Sequence, residues 1–463
     1  MRGYLNKNQI EYIFYHLAFR FQVTDEIRNH ISFRRNEPWE EMEAGRIIFP
    51  LSDQVLDEGS ILRFVDIPIL FPLDKNENVY EWKDRSLVFN HDLFKSAFYL
   101  LSGYQESVSE KRDHYGRFPF EESIQYRLGI TDKAIVNYYF DFIAQGIAEF
   151  CKKNRIAFHP FSAFETMGFM LSHDVDVIDT YTFRDVLFRL KEVVLASKTR
   201  YPLRKRIFFF WKYAISYVNF FNRKNLHWDF DYLIDSAKRR GFKSVFYFLH
   251  KDQRKNDSKY AFRDKRIRNL FAFLKEEKCE IGLHGSTRSA TNPDILKDHL
   301  EKLKLYSDTA VSGIRQHRLI HMQITTARIQ QEAGLLYDST LGFAEKEGFR
   351  NSYCLPFKLY DFDRDEMLDL WQIPLLVMDT TIFMYRKLDL QSAKESISAL
   401  IEECLKFNGL FTLLWHNGNF DEEFYPFGKE LYEGILDSVK DQSPLSIRGA
   451  DWIEFSAKGD FPS

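Results

Sequence analysis

Cysteine, glycine and proline are all scarce in this sequence of 463 residues. The 21 glycines and 13 prolines fall below the usual ~7% and ~5% of residues, which excludes collagen-like and low-complexity chains. The four cysteines lie far apart, at Cys151, Cys279, Cys354 and Cys404. We therefore expect buried free thiols in a reducing compartment, with no disulfide framework and no structural zinc site.

Long apolar runs and an excess of one charge are missing as well. No stretch approaches the ~18 apolar residues of a membrane-spanning helix, and the N-terminus lacks the apolar core of a signal peptide. The 64 basic and 67 acidic residues give a net charge of −3, which offers no overall attraction to nucleic acid. The expected location is the cytoplasm, and nucleic acid is not an expected partner.

Apolar residues make up 45% of the chain and aromatic residues 16%, which is enough to fill a large core. The first part, 1–155, is predicted to be an α+β domain of unknown role. Its helices are expected over 9–22, Asp92–Tyr104 and Ile135–Lys152, the first because apolar residues recur there every three or four positions. The polar and aromatic segment His114–Phe118 is expected to be a loop that packs on the neighbouring domain. No catalytic group is expected from this domain.

After Thr166 the pattern changes to short apolar strands that alternate with helices. Such alternation predicts an α/β class with parallel strands joined by right-handed crossovers. Seven strands favour a distorted (β/α)7 barrel over 160–463. The strands are predicted at Gly168–Ser172, Ser244–Leu249, Glu280–Leu283, Gly313–Arg315, Leu335–Asp338, Trp371–Val377 and Phe411–Trp415.

Residues 189–224 interrupt this alternation with a basic and aromatic insert. Ten Lys and Arg side chains face a single acidic residue, Glu192, in this window. Such a segment suits an anionic membrane surface or a phosphorylated carrier. The alternative is an ordinary helical hairpin that packs on the barrel and exposes a basic rim. Peripheral membrane contact through 189–224 therefore stays open.

Polar residues follow the predicted strands at their carboxyl ends, where the loops of a parallel barrel converge. Asp174 and Asp176 follow the first strand and could supply a base and a metal ligand. His284 follows the third strand, and histidine is the commonest metal ligand. Arg315 ends the fourth strand, where it could hold a carboxylate in two hydrogen bonds. His416 ends the last strand and suits a general acid near neutral pH.

The order strand-Asp, strand-His, strand-Arg, strand-Asp-x-Ser and strand-Leu-x-x-His resembles the polysaccharide deacetylase superfamily (NodB homology, carbohydrate esterase family 4). The resemblance covers about residues 166–420. The N-terminal domain is similar to an uncharacterised domain that precedes such catalytic domains in a group of bacterial proteins. The resemblance implies a carbohydrate deacetylase, a hydrolase that removes an N-acyl (acetyl) group from an amino sugar by metal-assisted attack of water.

The resemblance also implies a role for each of these residues. Asp174 matches the base, Arg315 the arginine that orients that base, and His416 the general acid. Asp176 and His284 match metal ligands. Asp338 and Ser339, at the end of the fifth predicted strand, and Trp415, beside His416, are assigned to substrate binding.

Two departures from the family pattern concern the metal. Val175 separates two aspartates that are usually adjacent, and Arg288 stands where the family has a second metal histidine. His317, His173 or another group would then complete the metal site, or metal binding would be weak or absent. We assign His317 as the third ligand and expect zinc.

The expected substrate is an N-acetylated sugar, linked to a nucleotide or to a lipid because the location is cytoplasmic. The alternative is a non-catalytic carbohydrate-binding or assembly protein on a degenerate deacetylase barrel. Arg288 keeps this alternative open. The retained Asp174, Arg315 and His416 argue against it, since binding alone requires neither a base nor an acid.

Overall fold

The chain has a mixed α/β fold in a computed structural model, which describes residues 3–35, 44–73, 75, 78–179, 182–195, 202–218, 227–252, 257–421 and 424–459. The strands are β1 (Ile31–Arg34), β2 (Ile47–Pro50), β3 (Leu62–Phe64), β4 (Ile67–Ile69), β5 (Tyr80–Lys83), β6 (Ser86–Phe89), β7 (Gly168–Val175), β8 (Ser244–Leu249), β9 (Glu280–Gly285), β10 (Gly313–Gln316), β11 (Tyr337–Asp338), β12 (Phe357–Asp361), β13 (Glu366–Gln372), β14 (Val377–Met378), β15 (Leu410–Leu414) and β16 (Leu445–Ser446). The helices are α1 (Lys7–Leu17), α2 (Asp25–His30), α3 (Leu93–Leu101), α4 (Tyr104–Val108), α5 (Ile124–Leu128), α6 (Ile135–Asn154), α7 (Phe183–Val194), α8 (Leu203–Val218), α9 (Phe230–Lys238), α10 (Lys265–Glu276), α11 (Pro293–Ser307), α12 (Ile324–Glu332), α13 (Leu390–Lys406), α14 (Gly428–Lys440) and α15 (Gly449–Lys458).

One curled sheet of ten strands forms the centre of the larger part of the chain. Strands β7 to β11 lie side by side in chain order and run parallel. On the other side of β7, β15 and then β14 continue the sheet in parallel. Helices cross between successive parallel strands, because a parallel pair cannot be joined by a tight turn. The predicted α/β class with parallel pairing is confirmed.

The predicted strand Trp371–Val377 is divided between two places in the sheet. Its first residues belong to β13, which pairs with β11 and also forms an antiparallel hairpin with β12. Its last residue begins β14, which pairs with β15. Pro374 lies between the two strands and has no N–H to donate to a ladder. The hairpin was not predicted, and the sevenfold barrel stays a prediction.

Burial on both faces explains why the polar residues collect at the strand ends. Every residue of β7, β8, β9, β10 and β15 is buried. Strands covered on both faces carry near-continuous apolar runs, so polar side chains are concentrated where each strand runs out. In this sheet the carboxyl ends of β7, β9, β10 and β15 meet at one edge, which sets the position of the candidate site.

The N-terminal part contains a smaller sheet in the order β1-β2-β6-β5. The predicted helices of this part are confirmed as α1, α3 and α6, and their ends differ from prediction by up to five residues. Strand β2 is fully apolar, and α3 is buried along its whole length. The boundary between the two predicted domains, at 155–160, stays a prediction.

A buried ion pair joins the N-terminal part to the larger sheet. The Arg350 guanidinium donates from Nε and Nη2 to the two oxygens of Glu106, at 2.8 and 2.7 Å. Its Nη1 donates to the carbonyl of Gly342 at 2.9 Å. Both charged side chains are almost completely buried. A contact with two parallel hydrogen bonds fixes orientation as well as distance, so it restrains how the N-terminal part is oriented against the larger sheet.

Helices α7 and α8 form a hairpin within the predicted basic insert. The rest of the insert, 196–201 and 219–224, lies outside the described residues. Inside the hairpin, Arg189 donates to Glu192 at 2.7 Å and lies 4.7 Å from the centre of the Tyr213 ring. None of the described helices combines the length and the apolar character that a membrane crossing requires.

We expect Glu106→Gln to destabilise the protein, because the amide keeps the shape of the side chain but leaves the buried Arg350 without a counter-charge. Removing one partner of a buried ion pair costs about 3–5 kcal/mol. Urea denaturation measures the change, with Glu110→Gln as the control, since Glu110 is exposed on the loop after α4. Equal effects of the two substitutions would contradict the proposed contribution of the pair.

Candidate active site

A cavity of about 450 Å³ opens at the carboxyl ends of β7, β9, β10 and β15. Five residues predicted from the sequence line it together, namely Asp174, Asp176, His284, His317 and His416. They come from parts of the chain up to 242 residues apart (416 − 174). The sheet brings them together because it aligns the carboxyl ends of its parallel strands.

Arg315 lies fully buried beneath the cavity and holds Asp174. Its Nη1 donates to Asp174 Oδ1 at 2.9 Å, and its Nη2 donates to the hydroxyls of Ser172 and Ser339 at 3.0 Å. Its Nε donates to the Ser339 carbonyl at 2.9 Å. A buried charge pair is tolerated only when its remaining hydrogen-bonding groups are satisfied, as they are here. Asp174 is thereby oriented, with Oδ2 on the side of His284 Nε2 at 3.7 Å.

Asp176, His284 and His317 form a group that could hold a metal ion. One ligand atom from each lies within 4.8 Å of the other two. The His284 Nε2 atom is 3.2 Å from Asp176 Oδ1, and the His317 Nε2 atom is 3.6 Å from Asp176 Oδ2. Asp176 Oδ1 is buried and accepts no hydrogen bond from the described residues. One carboxylate and two imidazoles are a donor set that suits zinc.

The two histidines of this ion site are oriented by hydrogen bonds at their other ring nitrogen. His284 Nδ1 lies 2.8 Å from the carbonyl of Arg315. His317 Nδ1 lies 2.9 Å from Asp257 Oδ1. A ring N–H that is donated to an oxygen fixes the tautomer and leaves Nε2 free to bind an ion. The residues present therefore fit a divalent metal.

The carboxylates around His317 favour a positive charge at this place. Burial opposes protonation of His317, but Asp176 and Asp257 outweigh it and raise its pKa to about 9. Burial also disfavours the Asp176 carboxylate, yet His317 and His284 hold the pKa of Asp176 well below its usual range. A divalent ion would be attracted by the same carboxylates that favour the proton on His317.

Asp379 was not predicted, and it orients His416. The His416 Nδ1 atom is 2.7 Å from Asp379 Oδ1, and the His416 backbone N–H donates to Oδ2 at 2.7 Å. Asn419 donates to the same Oδ2 at 2.9 Å. A signal existed in the sequence, since Asp379 directly follows the apolar Val377-Met378, as the other polar clusters follow their strands.

The fully buried Asp379 keeps His416 charged. Burial lowers the pKa of His416, but the charge and the hydrogen bond of Asp379 outweigh it and raise that pKa to about 10. His416 therefore carries a proton at neutral pH. Its Nε2 lies 3.9 Å from Asp176 Oδ2, so the proton is held on the side of the ion site.

Arg288 and His173 lie away from the ion site. Arg288 approaches Asp252, with 3.6 Å between Nη1 and Oδ1, and both line a different cavity. His173 is fully buried, and its Nδ1 lies 2.9 Å from the carbonyl of Trp415. Burial lowers the pKa of His173 to about 4. Of the alternatives left open by the sequence, His317 is the residue that the fold brings to the ion site.

Asp338, Ser339 and Trp415, which were assigned to substrate binding, lie beneath the cavity and have no exposed surface. Ser339 accepts two of the hydrogen bonds of Arg315, and Asp338 Oδ2 is 3.3 Å from His321 Nε2. They therefore lie behind the residues that line the cavity. Their assignment to substrate binding stays a prediction.

The N-terminal part contributes to the cavity wall through Tyr115 and Arg117. Arg117 donates to Asp113 Oδ2 at 2.7 Å and to the carbonyl of Arg318 at 3.0 Å. The segment His114–Phe118 packs on the neighbouring part, as expected, but it also faces the cavity. Sequence patterns carried no sign of this, because the contact joins residues that are 201 apart.

Comparison with known proteins finds one family model that matches part of the chain and several structural neighbours. Residues 4–152 match DUF7033, a family of unknown function. No curated protein matches the chain. Proteins assigned as polysaccharide deacetylases from Mycobacterium smegmatis and Pseudomonas aeruginosa PAO1 align with a TM-score of 0.40, at 15% and 12% identity. Each alignment covers 64% of this chain and 92% of the other.

A further structural neighbour is described as a pseudoenzyme of carbohydrate esterase family 4, from Bacillus anthracis. It aligns with a TM-score of 0.30 at 9% identity, over 61% of this chain and 63% of its own. The structural neighbours are thus polysaccharide deacetylases at low sequence identity.

We expect the purified protein to bind one zinc ion per chain, and Asp176→Ala to abolish this binding. Asp257→Asn should weaken zinc affinity about 10–100-fold, because it removes the carboxylate that orients His317. Zinc titration with a competing chelator measures both. His159→Ala is the control, since His159 is exposed and does not line the cavity. Undiminished zinc affinity in Asp176→Ala would rule out this ion site.

Proposed function

We propose that the protein is a metal-dependent hydrolase that removes an N-acyl group, acetyl above all, from an amino sugar of a polysaccharide or glycoconjugate. One juxtaposition supports this most directly. A carboxylate held by a buried arginine and a protonated histidine held by a buried aspartate share one cavity with a three-residue ion site. A base, an acid and an ion that face the same space are the elements that hydrolysis of an amide requires.

In this proposal each group has a separate task. A divalent ion bound at the site, zinc in our proposal, would polarise the acyl oxygen and lower the pKa of a water molecule. Asp174 Oδ2 accepts the proton of the attacking water, while Arg315 holds the carboxylate in place through its hydrogen bond to Oδ1. His416 Nε2 donates its proton to the sugar nitrogen, since an amine anion is a very poor leaving group.

The cavity also suits the acyl group and the sugar. Leu319, Ala344 and Met378 line it beside the charged residues and provide an apolar wall for the acyl methyl. Its volume of about 450 Å³ lies in the ~300–1,000 Å³ range of small-molecule sites. An apolar wall with a few convergent polar groups is typical of small-molecule binding sites.

Asp174→Asn and His416→Ala should each lower kcat by about 10²–10⁴, the range for groups that transfer a proton. Arg315→Lys should not preserve activity, because a point charge cannot reproduce the planar fork of hydrogen bonds. The assay is acetate release from N-acetylated sugars, nucleotide sugars and oligosaccharides, with and without zinc, cobalt or manganese. Asp132→Asn is the control, since Asp132 is exposed and outside the cavity.

Asp379→Asn gives a second test of the same assignment. The substitution removes the charge that raises the pKa of His416, so the alkaline limit of activity should move to lower pH, where His416 then loses its proton. A merely structural role for Asp379 would lower activity without moving this limit. If the wild type binds a sugar but Asp174→Asn and His416→Ala leave activity unchanged, the non-catalytic alternative replaces the hydrolase.

We also propose that the α7–α8 hairpin lies on an anionic membrane surface, which would suit a lipid-linked substrate. Thirteen of the 24 large apolar side chains that are exposed among the described residues lie on this hairpin and Leu195, which follows α7. Phe208, Trp211 and Ile215 are 56%, 58% and 62% exposed on α8. Exposed basic residues accompany them, including Arg184 and Arg204. Basic residues beside exposed aromatic and aliphatic ones are typical of helices at a membrane interface.

Co-sedimentation with vesicles tests the membrane proposal. We expect binding to vesicles that contain phosphatidylserine and less binding at high salt, since ions screen the attraction. Replacing both Phe208 and Trp211 by alanine should reduce binding, whereas Leu305→Ala, which removes an exposed leucine on α11, should not. Equal and negligible binding to neutral and anionic vesicles would favour the packed hairpin without a membrane role.

A further inference from the structure

Arg318 is a charged residue on the cavity wall that has no part in the proposed mechanism. It lies between the ion ligand His317 and the apolar Leu319, and all three line the cavity. Its guanidinium carbon lies 4.6 Å from the centre of the Tyr115 ring, which comes from the N-terminal part and lines the same cavity. Arg318 thus packs against an aromatic ring at the place where the two parts of the chain meet.

The guanidinium of Arg318 is unpaired among the described residues. It makes no hydrogen bond or ion pair there and lies over the Tyr115 ring, while the backbone carbonyl of Arg318 accepts a hydrogen bond from Arg117. Arg117 is different, because Asp113 and Glu345 lie 2.7 and 3.2 Å from its Nη2 and neutralise it. Arg318 therefore offers the cavity a half-buried positive charge with its hydrogen-bond donors unused.

The backbone at this place is held in an uncommon conformation. Arg318 and Leu319 have φ values of 61° and 55°, so two successive residues other than glycine adopt the left-handed region. This conformation is costly for residues with a Cβ atom, and it persists only where the surroundings hold it. The hydrogen bond from Arg117 Nη1 to the Arg318 carbonyl, at 3.0 Å, is one such restraint. Strained residues of this kind cluster at ligand-binding sites.

We propose that Arg318, supported by Tyr115, binds an anionic group of the substrate, a carboxylate or a phosphate, next to the N-acyl group. The proposal rests on the proposed function only in that it takes the substrate to be an N-acylated sugar. The planar guanidinium presents paired donors that match either anion, whereas the two carboxylates of the cavity, Asp174 and Asp176, already face Arg315 and the histidines. The substrate class is then an acidic amino sugar or a sugar phosphate.

Calorimetry on the full zinc-loaded chain tests the inference without requiring turnover. The probes are N-acetylglucosamine, its 1-phosphate and N-acetylmuramic acid, which separate a neutral sugar, a phosphate and a carboxylate. We expect at least one anionic sugar to bind about tenfold or more tighter than the neutral sugar, as a charge-assisted contact provides. The anionic sugar with the larger affinity ratio over the neutral sugar shows whether the site prefers a phosphate or a carboxylate.

The affinity ratio of anionic to neutral sugar should fall towards one in Arg318→Gln. It should fall partly in Tyr115→Ala, which removes the aromatic ring, and much less in Tyr115→Phe, which keeps the ring. Arg268→Gln is the matched control, since it removes one exposed arginine on α10, outside the cavity. Because an anion could also bind at the metal, a preference that survives Arg318→Gln and Tyr115→Ala would overturn the inference.

Failure of this inference differs from failure of the proposed function. If acetate release depends on Asp174 but neutral and anionic sugars bind with equal affinity, the proposed hydrolase function is supported. The anion site is then refuted. Preference for an anionic sugar that depends on Arg318, without acetate release from any probe, would support the anion site in a binding protein instead.

Discussion

The buried contact between Arg315 and Asp174 is the constraint on which the rest of the site depends. Placing a charged guanidinium beneath the sheet edge is tolerable only because Ser172, Ser339 and the Asp174 carboxylate accept its hydrogen bonds. These acceptors lie in β7 and directly after β11, so one side chain ties these two strands to β10. The Arg315 carbonyl also orients His284. The same residue thus positions both Asp174 and His284.

Two histidines of the cavity are also oriented by a partner, which in each case is a carboxylate. Asp257 holds His317, and Asp379 holds His416, each through Nδ1. Both histidines therefore present Nε2 to the cavity, but their surroundings suit different tasks. The neighbouring carboxylates raise the pKa of both, to about 9 for His317 and to about 10 for His416. What separates them is that His317 belongs to the group with Asp176 and His284 that fits a metal, whereas His416 does not.

The N-terminal part contributes through its contact with the sheet as well as through its own fold. The Glu106–Arg350 pair fixes its position, and Arg117 bonds to the carbonyl of Arg318 at the cavity wall. Because this contact places Tyr115 against Arg318, the shape and charge of the cavity mouth depend on both parts of the chain. The hairpin of α7 and α8 adds an exposed apolar surface.

The sequence by itself determined the parallel strands and the polar residues at their ends. A strand buried on both faces must be apolar along its length, so Asp174, His284 and His416 stand out where each run stops. Only the tertiary structure decided that His317 joins the ion site while His173 turns to the Trp415 carbonyl. The same holds for the pairing of Asp379 with His416 and of Tyr115 with Arg318, and for the burial of Asp338. These contacts depend on how the sheet curls and on how the two parts pack, and local residue patterns carry no record of which distant side chains will face one another.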